Sequence, residues 1–314
     1  MARSVLGMFL VMVMGCAAAS EQEVAPTTAI PTTTAYTPGN VATRQHRAEG
    51  ANFAVLDFNI GMNGYRGLDD VVAVIRTMNP DAASLQECDA ATATALATKL
   101  GWTAVTDDLR MLAILSPHPM KLIGKTAGTE EWGALGATIT LGGPRGQAHV
   151  FDLHLDWEEY GPYFLDQGKT KDFVIDAEKT YRLPVLTDVL AMMKPKLDSG
   201  EPTFLTGDFN APSHEDYDGL AWPTSTACTA AGLADSYRAV HPREKVAPFA
   251  ASDPGVTWSP LPGAETIAFD RIDFIHFAPK NHTRAVSSME VDARSGIDPW
   301  PSDHRAVFST FEIR

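Results

Sequence analysis

The sequence predicts an α/β fold in which β-sheets pack face to face and helices flank them. Two observations carry this. Strand-like and helix-like segments alternate along the chain, and several strand-like runs are apolar on both faces, the pattern of strands covered on both sides. With 45% apolar and 20% charged residues among 314, the chain also has ample material for a core.

The first sixteen residues, "MARSVLGMFLVMVMGC", join a positive start at Arg3 to an apolar run from Val5 to Met14. That run has signal-peptide length and is shorter than the roughly 20 residues that span a bilayer. The ending "VMGC" resembles a bacterial lipobox in which Cys16 is lipidated, although Val13 and Met14 depart from its usual residues. Ordinary secretory cleavage near "AAAS" is the rival, and both predict export. Residues 17–50 are rich in Thr, Pro and Ala, a composition that cannot bury a core and reads as a disordered tether. The folded domain is therefore expected over 51–314. Apart from Cys16 only Cys88 and Cys228 remain, an exported pair that can form a disulfide, although their spacing is weak support for it.

Within the domain, "FAVLDFNI" (53–60) reads as a strand ending at Asn59. "LDDVVAVIRTMN" (68–79) sets Leu68, Val71, Val72, Ile75 and Met78 on one helical face, with acids in its first turn. "DAASLQECD" is a short strand delivering Glu87, and "AATATALATKLG" a helix stopped by Gly101. In "HVFDLHLDW" (149–157) apolar residues alternate with Asp152, His154 and Asp156, the signature of a half-buried strand. "GKTKDFVIDAEKTYR" interleaves bases with acids and reads as a solvated face, and a helix follows Pro184. "TFLTGDFN", "AFDRIDFIHF" and "SDHRAVFSTFEI" supply the remaining strands.

These strands end in polar groups. In "FLTGDFNAPS" an apolar run meets a turn, and Asp208 and Asn210, two residues apart, share one side of the extended segment. Convergence of the strand ends would gather Asn59, Glu87, His154, Asp208, Asn210, Asp273, Asp303 and His304 in one cleft. Singly, each has a bland explanation: Asp and Asn cap strands by bonding their own backbone, and most histidines are surface or core residues. The set is more telling. Carboxylates with an amide suit a hard cation such as Mg²⁺ or Mn²⁺, and two histidines suit the proton transfers of phosphoester cleavage. No HExxH or paired CxxC motif points to zinc.

In order and sequence, "LDFNI", "LQECD", "DLHLDW", "TGDFN", "DRIDFI" and "PSDHRAV" resemble the endonuclease/exonuclease/phosphatase superfamily over about residues 52–314. The resemblance implies a four-layer α/β sandwich: two packed, mostly antiparallel β-sheets flanked by helices. It implies that Glu87 is the principal metal ligand, with Asn59 beside it and Asp303 near the metal. Asp208 would orient or deprotonate the attacking water, Asn210 would hold a phosphate oxygen, and His154 would protonate the leaving oxygen. His304 would contact the scissile phosphate, its tautomer fixed by Asp273. Strand parity prefers Asp273 to Asp270, which falls on the opposite face. The segment "LDWEEYGPYFLDQG" departs from the family's usual ending and is expected to shape the pocket; Tyr163 and, further on, Arg182 are candidate substrate contacts.

A formal net charge of −14 and the lack of a basic run argue against a stable nucleic-acid partner. The expected activity is metal-dependent hydrolysis of a small or lipid phosphodiester by a monomer, membrane-tethered if Cys16 is lipidated. The alternatives are a nuclease, a phosphomonoesterase on a polyphosphorylated small molecule, and an inactive binding lipoprotein. For targeting, Cys16→Ser is expected to abolish lipidation and leave the precursor uncut at that position. Mass spectrometry of mature protein beginning downstream of Cys16 would instead establish ordinary secretion.

Overall fold

The computed structural model describes residues 46–127, 131–241, 247–258 and 269–314; the leader with Cys16 and nearly all of the expected tether lie outside them. The strands are β1 Phe53–Asn59, β2 Ala82–Gln86, β3 Thr103–Asp107, β4 Leu112–Ser116, β5 Met120–Lys125, β6 Gly133–Thr140, β7 Gln147–His154, β8 Thr203–Asp208, β9 Ala234–Asp235, β10 Asp273–Phe277, β11 Thr283–Val291 and β12 Ala306–Ile313. The helices are α1 Leu68–Met78, α2 Ala90–Leu100, α3 Gly161–Asp166, α4 Lys171–Tyr181, α5 Leu183–Leu197, α6 Pro223–Ala230 and α7 Ser236–Val240. Among the described residues no helix is long and apolar enough to cross a membrane.

Two six-stranded sheets result, ordered β11-β12-β1-β2-β4-β3 and β5-β6-β7-β8-β10-β9. Each has one parallel pair, β1 with β2 and β7 with β8, and is otherwise antiparallel. The sheets meet through an apolar layer that includes Phe53, Val55, Leu135, Val150, Phe204, Ile275 and Phe311. Helices α1 and α2 cover the outer face of the first sheet through Val71, Ile75 and Leu96. Leu186, Val189 and Met193 of α5 cover the second, against Phe151, Leu153 and Leu205. The expected four layers are present.

Local signals explain the helix ends. Asp69 and Asp70 lie in the first turn of α1 and Arg76 in its last, each matched to the helix dipole. Asp89 caps α2 by accepting from the Thr92 N–H, and Gly101 closes it in a left-handed conformation.

One expectation is corrected. Strand β7 is not half-buried: residues 148–155 are all buried. Phe151 and Leu153 pack under α5, while Asp152 and His154 point at the other sheet, so the alternation separates two interiors and not core from water. Cys88 and Cys228 are free, buried thiols in separate core clusters on opposite outer faces of the sandwich.

Gly207 sets the approach of β7 to β8 beside Asp208. Its φ is +140°, and a Cβ there would collide with the Leu153 carbonyl oxygen of the paired strand. Gly207→Ala is therefore expected to cost about 3 kcal/mol or more in chemical denaturation. An unchanged midpoint would contradict this reading of the strand contact.

Candidate active site

Along the layer between the sheets, composition changes from hydrocarbon to polar. Phe53 packs on Phe204 with ring centroids 5.1 Å apart. Two residues further along β8, Thr206 donates to Ser84 of β2 across the sheets at 2.8 Å. Next, the Gln86 amide donates to Asp57 at 2.8 Å and to Asp152 at 2.5 Å. Burial, then the charge of Asp152, pushes Asp57 well above the usual carboxylate range, and burial does the same to Asp152. The final step along the layer is the site itself.

Strand register brings the site together. His154 pairs with Asp208, and Asp208 with Asp273, so three neighbouring strands present them side by side. Asn59 ends β1 in the facing sheet, and its amide nitrogen bridges Asp208 at 3.1 Å and Glu87 at 3.2 Å. Asp208 also accepts from the Asn210 N–H at 2.9 Å and has His154 Nε2 at 3.5 Å and His304 Nε2 at 3.7 Å. His304 Nδ1 lies 3.0 Å from Asp273, which leaves Nε2 facing Asp208. Asp273 meets His304, whereas Asp270 accepts from the Tyr160 and Tyr217 hydroxyls at 2.7 Å each.

The electrostatics follow from burial opposed by close charges. Burial alone would lower His304, but the carboxylates of Asp273 and Asp208 outweigh it and raise its pKa to about 10. For Asp208 burial acts upward, yet the His304 charge, then the hydrogen bond and charge of His154, bring it to about 2. Asp273 is raised, by burial and then by the Asp208 charge, against the pull of His304. The site thus holds an anionic Asp208 against a protonated His304.

Glu87 follows β2 directly, in a left-handed conformation with φ 56° that is uncommon for its type. The fold holds it there: its Oε2 accepts from the Met62 N–H at 2.5 Å and its carbonyl from the Asn63 N–H at 2.7 Å. Glu87, Asp208 and Asp303 line one cavity of about 670 Å³ together with His154, Asn210 and His304. Three carboxylates facing one cavity, with the Asn59 amide behind, are the hard oxygen donors a small divalent cation takes. Asp208, Asp273 and His304 also form a buried cluster with one donor atom each within 4.8 Å, a possible acidic/His metal site. Asp273, tied to His304, is better placed to orient that ring than to bind a cation.

Of the expected substrate contacts, Tyr163 lines the cavity, as does Asn210, whose amide nitrogen donates to the Leu155 carbonyl at 2.9 Å. Arg182 does not. It is 1% exposed and donates to the carbonyls of Glu158 at 2.7 Å and Glu159 at 3.4 Å, pinning the loop that carries Trp157 and Tyr160. The interleaved charges of α4 did not reveal that Arg182, just past its end, turns inward. Sequence reasoning also missed Ser302, whose hydroxyl donates to the Asn59 carbonyl at 2.7 Å and accepts from the His304 N–H at 3.0 Å. The Ser of "PSDH" was the available signal. Trp132, Tyr160 and Trp258 on the cavity wall were missed too; only the aromatic density of "DWEEYGPYF" hinted at such a wall.

The model of the Endonuclease/Exonuclease/phosphatase family matches residues 58–304, a span that contains the site. The uncharacterized protein F14F9.5 of Caenorhabditis elegans is 29% identical over 292 residues, covering 81% of this chain and 88% of its own. The fold is similar to that of the human Nocturnin catalytic domain with bound sulfate anion, at a TM-score of 0.58 and 16% identity over 84% of this chain and 95% of the other. It is likewise similar to the 3′ phosphatase NExo from Neisseria bound to product DNA hairpin, at a TM-score of 0.57 and 19% identity over 83% and 99%.

The pH dependence of stability has a definite sign. His304, raised from 6.5 to about 10, contributes fully below pH 6.5 and loses its contribution as pH rises through 10. Asp208, lowered from 3.8 to about 2, contributes above pH 3.8 and loses its contribution as pH falls through 2. The stability difference between wild type and His304→Gln is therefore expected to shrink between pH 7 and pH 10 in denaturation titrations. A difference that grows over this range would contradict the protonated histidine.

Proposed function

We propose that this chain, which belongs to the endonuclease/exonuclease/phosphatase family, hydrolyses a phosphodiester with a divalent cation, Mg²⁺ or Mn²⁺, and that its substrate is small or lipid-borne. Members of this family are hydrolases acting on phosphoesters, generally dependent on divalent metal. The observation that carries the reading is the anionic Asp208 lying between two histidines on the floor of an acid-lined cavity. Asp208 orients a water and takes its proton as the oxygen attacks phosphorus. Protonated His304, its ring aligned by Asp273, donates to a phosphoryl oxygen where negative charge grows. His154 protonates the departing alkoxide, and the Asn210 amide steadies a phosphoryl oxygen. Glu87, with Asn59 and Asp303, is the set that would hold the cation. A divalent ion held there would neutralise phosphate charge and make the attacking water more acidic.

The substrate preference rests on charge. At −14 the chain repels polyanions, and among the described residues lining the cavity the one guanidinium or ammonium is that of Arg110. It is committed to Asp107 at 2.9 Å and the Trp132 carbonyl at 3.2 Å. A duplex would find few phosphate contacts. The Neisseria neighbour, a 3′ phosphatase bound to product DNA hairpin, supports a second reading in which the ester acted on is carried by DNA. Export by the leader and anchoring through Cys16 would put the enzyme beside lipid head groups and small diesters.

Asp208→Asn and His304→Ala are each expected to lower kcat roughly 10²-fold or more with the fold retained. Near-normal kcat in either would remove that residue from the mechanism. Glu87→Gln should abolish activity and weaken Mg²⁺ binding by calorimetry, and unchanged binding would exclude it as the main ligand. At about 0.15 M salt, initial rates on a small chromogenic diester or sphingomyelin vesicles should exceed those on plasmid DNA. Rapid plasmid nicking with little action on the others would establish the nuclease instead.

A further inference from the structure

Three tryptophans line the cavity, and the phosphoryl chemistry uses none of them. Trp132 meets the His154 ring edge-on at a centroid distance of 5.0 Å, and Trp258 lies tilted on His304 at 5.0 Å. One tryptophan thus stands beside each histidine. Trp157 is further out and 62% exposed, an unusual position for so large an apolar side chain. Tyr163 completes the aromatic lining from α3, its ring 4.9 Å from that of Tyr160.

Among the described residues that line the cavity, the exposed charges are both acidic, Asp108 and Glu131. The guanidinium of Arg110 is buried and engaged, and that of Arg66, outside the lining, stacks on Tyr65 and donates to the Ser302 carbonyl. Among the described residues, a substrate with a second phosphate or a carboxylate would meet Asp108 and Glu131 here, while the lining guanidinium of Arg110 is already committed to Asp107. A weakly hydrated organic cation fits both features. Ring faces are negative at their centres and hold quaternary ammonium groups, and carboxylates add attraction without requiring a hydrogen-bond donor. A nucleobase could stack on the same rings but, being neutral, would gain no net charge attraction from Asp108 and Glu131.

We infer that the cavity takes a phosphodiester of a quaternary-ammonium alcohol, its cationic head held among Trp132, Trp157, Tyr163 and Trp258 and facing Asp108 and Glu131. The inference rests on the phosphodiesterase reading and narrows it to one substrate class. It leaves the source open between a choline lipid and a soluble choline diester.

Binding of phosphocholine and of its neutral isostere 3,3-dimethylbutyl phosphate, followed by tryptophan fluorescence with Mg²⁺ present, isolates the head-group charge. Phosphocholine is expected to bind about tenfold more tightly or better. Trp157→Ala and Glu131→Gln, both at exposed positions, should each narrow that ratio. Equal binding of the two probes, or tighter binding of adenosine monophosphate, would overturn the inference. Hydrolysis of a chromogenic diester without a cationic group tests the underlying activity separately. Turnover of that diester with equal probe binding leaves a phosphodiesterase without this specificity. A charge-dependent binding ratio without turnover keeps the head-group site and removes the activity. Phosphatidylcholine vesicles and glycerophosphocholine, compared as substrates, identify the source.

Discussion

Asp208 keeps its charge while buried on the floor of the cavity, and the arrangement of both sheets follows from that. A buried carboxylate is tolerated only with donors and a countercharge in place, since desolvation otherwise exceeds the Coulomb gain. Here the donors come from four places: Asn59 in the facing sheet, the Asn210 N–H just beyond β8, His154 on the neighbouring strand, and His304 in the turn before β12. Neither sheet supplies the set alone. The inter-sheet bonds of Thr206 to Ser84, and of Gln86 to Asp152, hold the sheets in the relative position the anion needs.

The same economy is visible around the anion. Asp57 and Asp152 sit one step deeper in the layer, and burial raises both, so that they do not add full charges beneath Asp208 and Asp273. Ser302 couples the end of β1 to the backbone of His304, so the histidine's position is set by the same strand that places Asn59. Glu87 and Asn210 adopt left-handed backbone conformations with φ 56° and 46°, each worth of order 1–3 kcal/mol in strain. Strain of that kind persists where surrounding bonds over-determine the chain, as the Met62 and Asn63 amides do for Glu87.

Much of this was legible in the sequence, for a physical reason. Strand ends are punctuated: "TGDFN" and "PSDH" place acids, amides and histidines where apolar runs stop, and the register of neighbouring strands then aligns them without further information. What the sequence concealed is what depends on which face a strand turns to which neighbour. The alternation in "FDLHLDW" is the same whether Asp152 and His154 meet water or another sheet, and only the tertiary packing decides. Arg182 is a parallel case, a charged residue among exposed charges whose head turns inward to carbonyl oxygens. The tryptophans against His154 and His304 come from loops far away in the chain, and no local pattern announces such contacts.

The central claim is that this buried acid–histidine cluster performs metal-assisted phosphodiester hydrolysis, and dependence on a divalent ion tests it most directly. Folded protein stripped with a chelator should leave a small chromogenic diester intact and regain turnover when Mg²⁺ or Mn²⁺ is returned. Undiminished turnover in the chelator, or none at all once either metal is restored, would contradict the account.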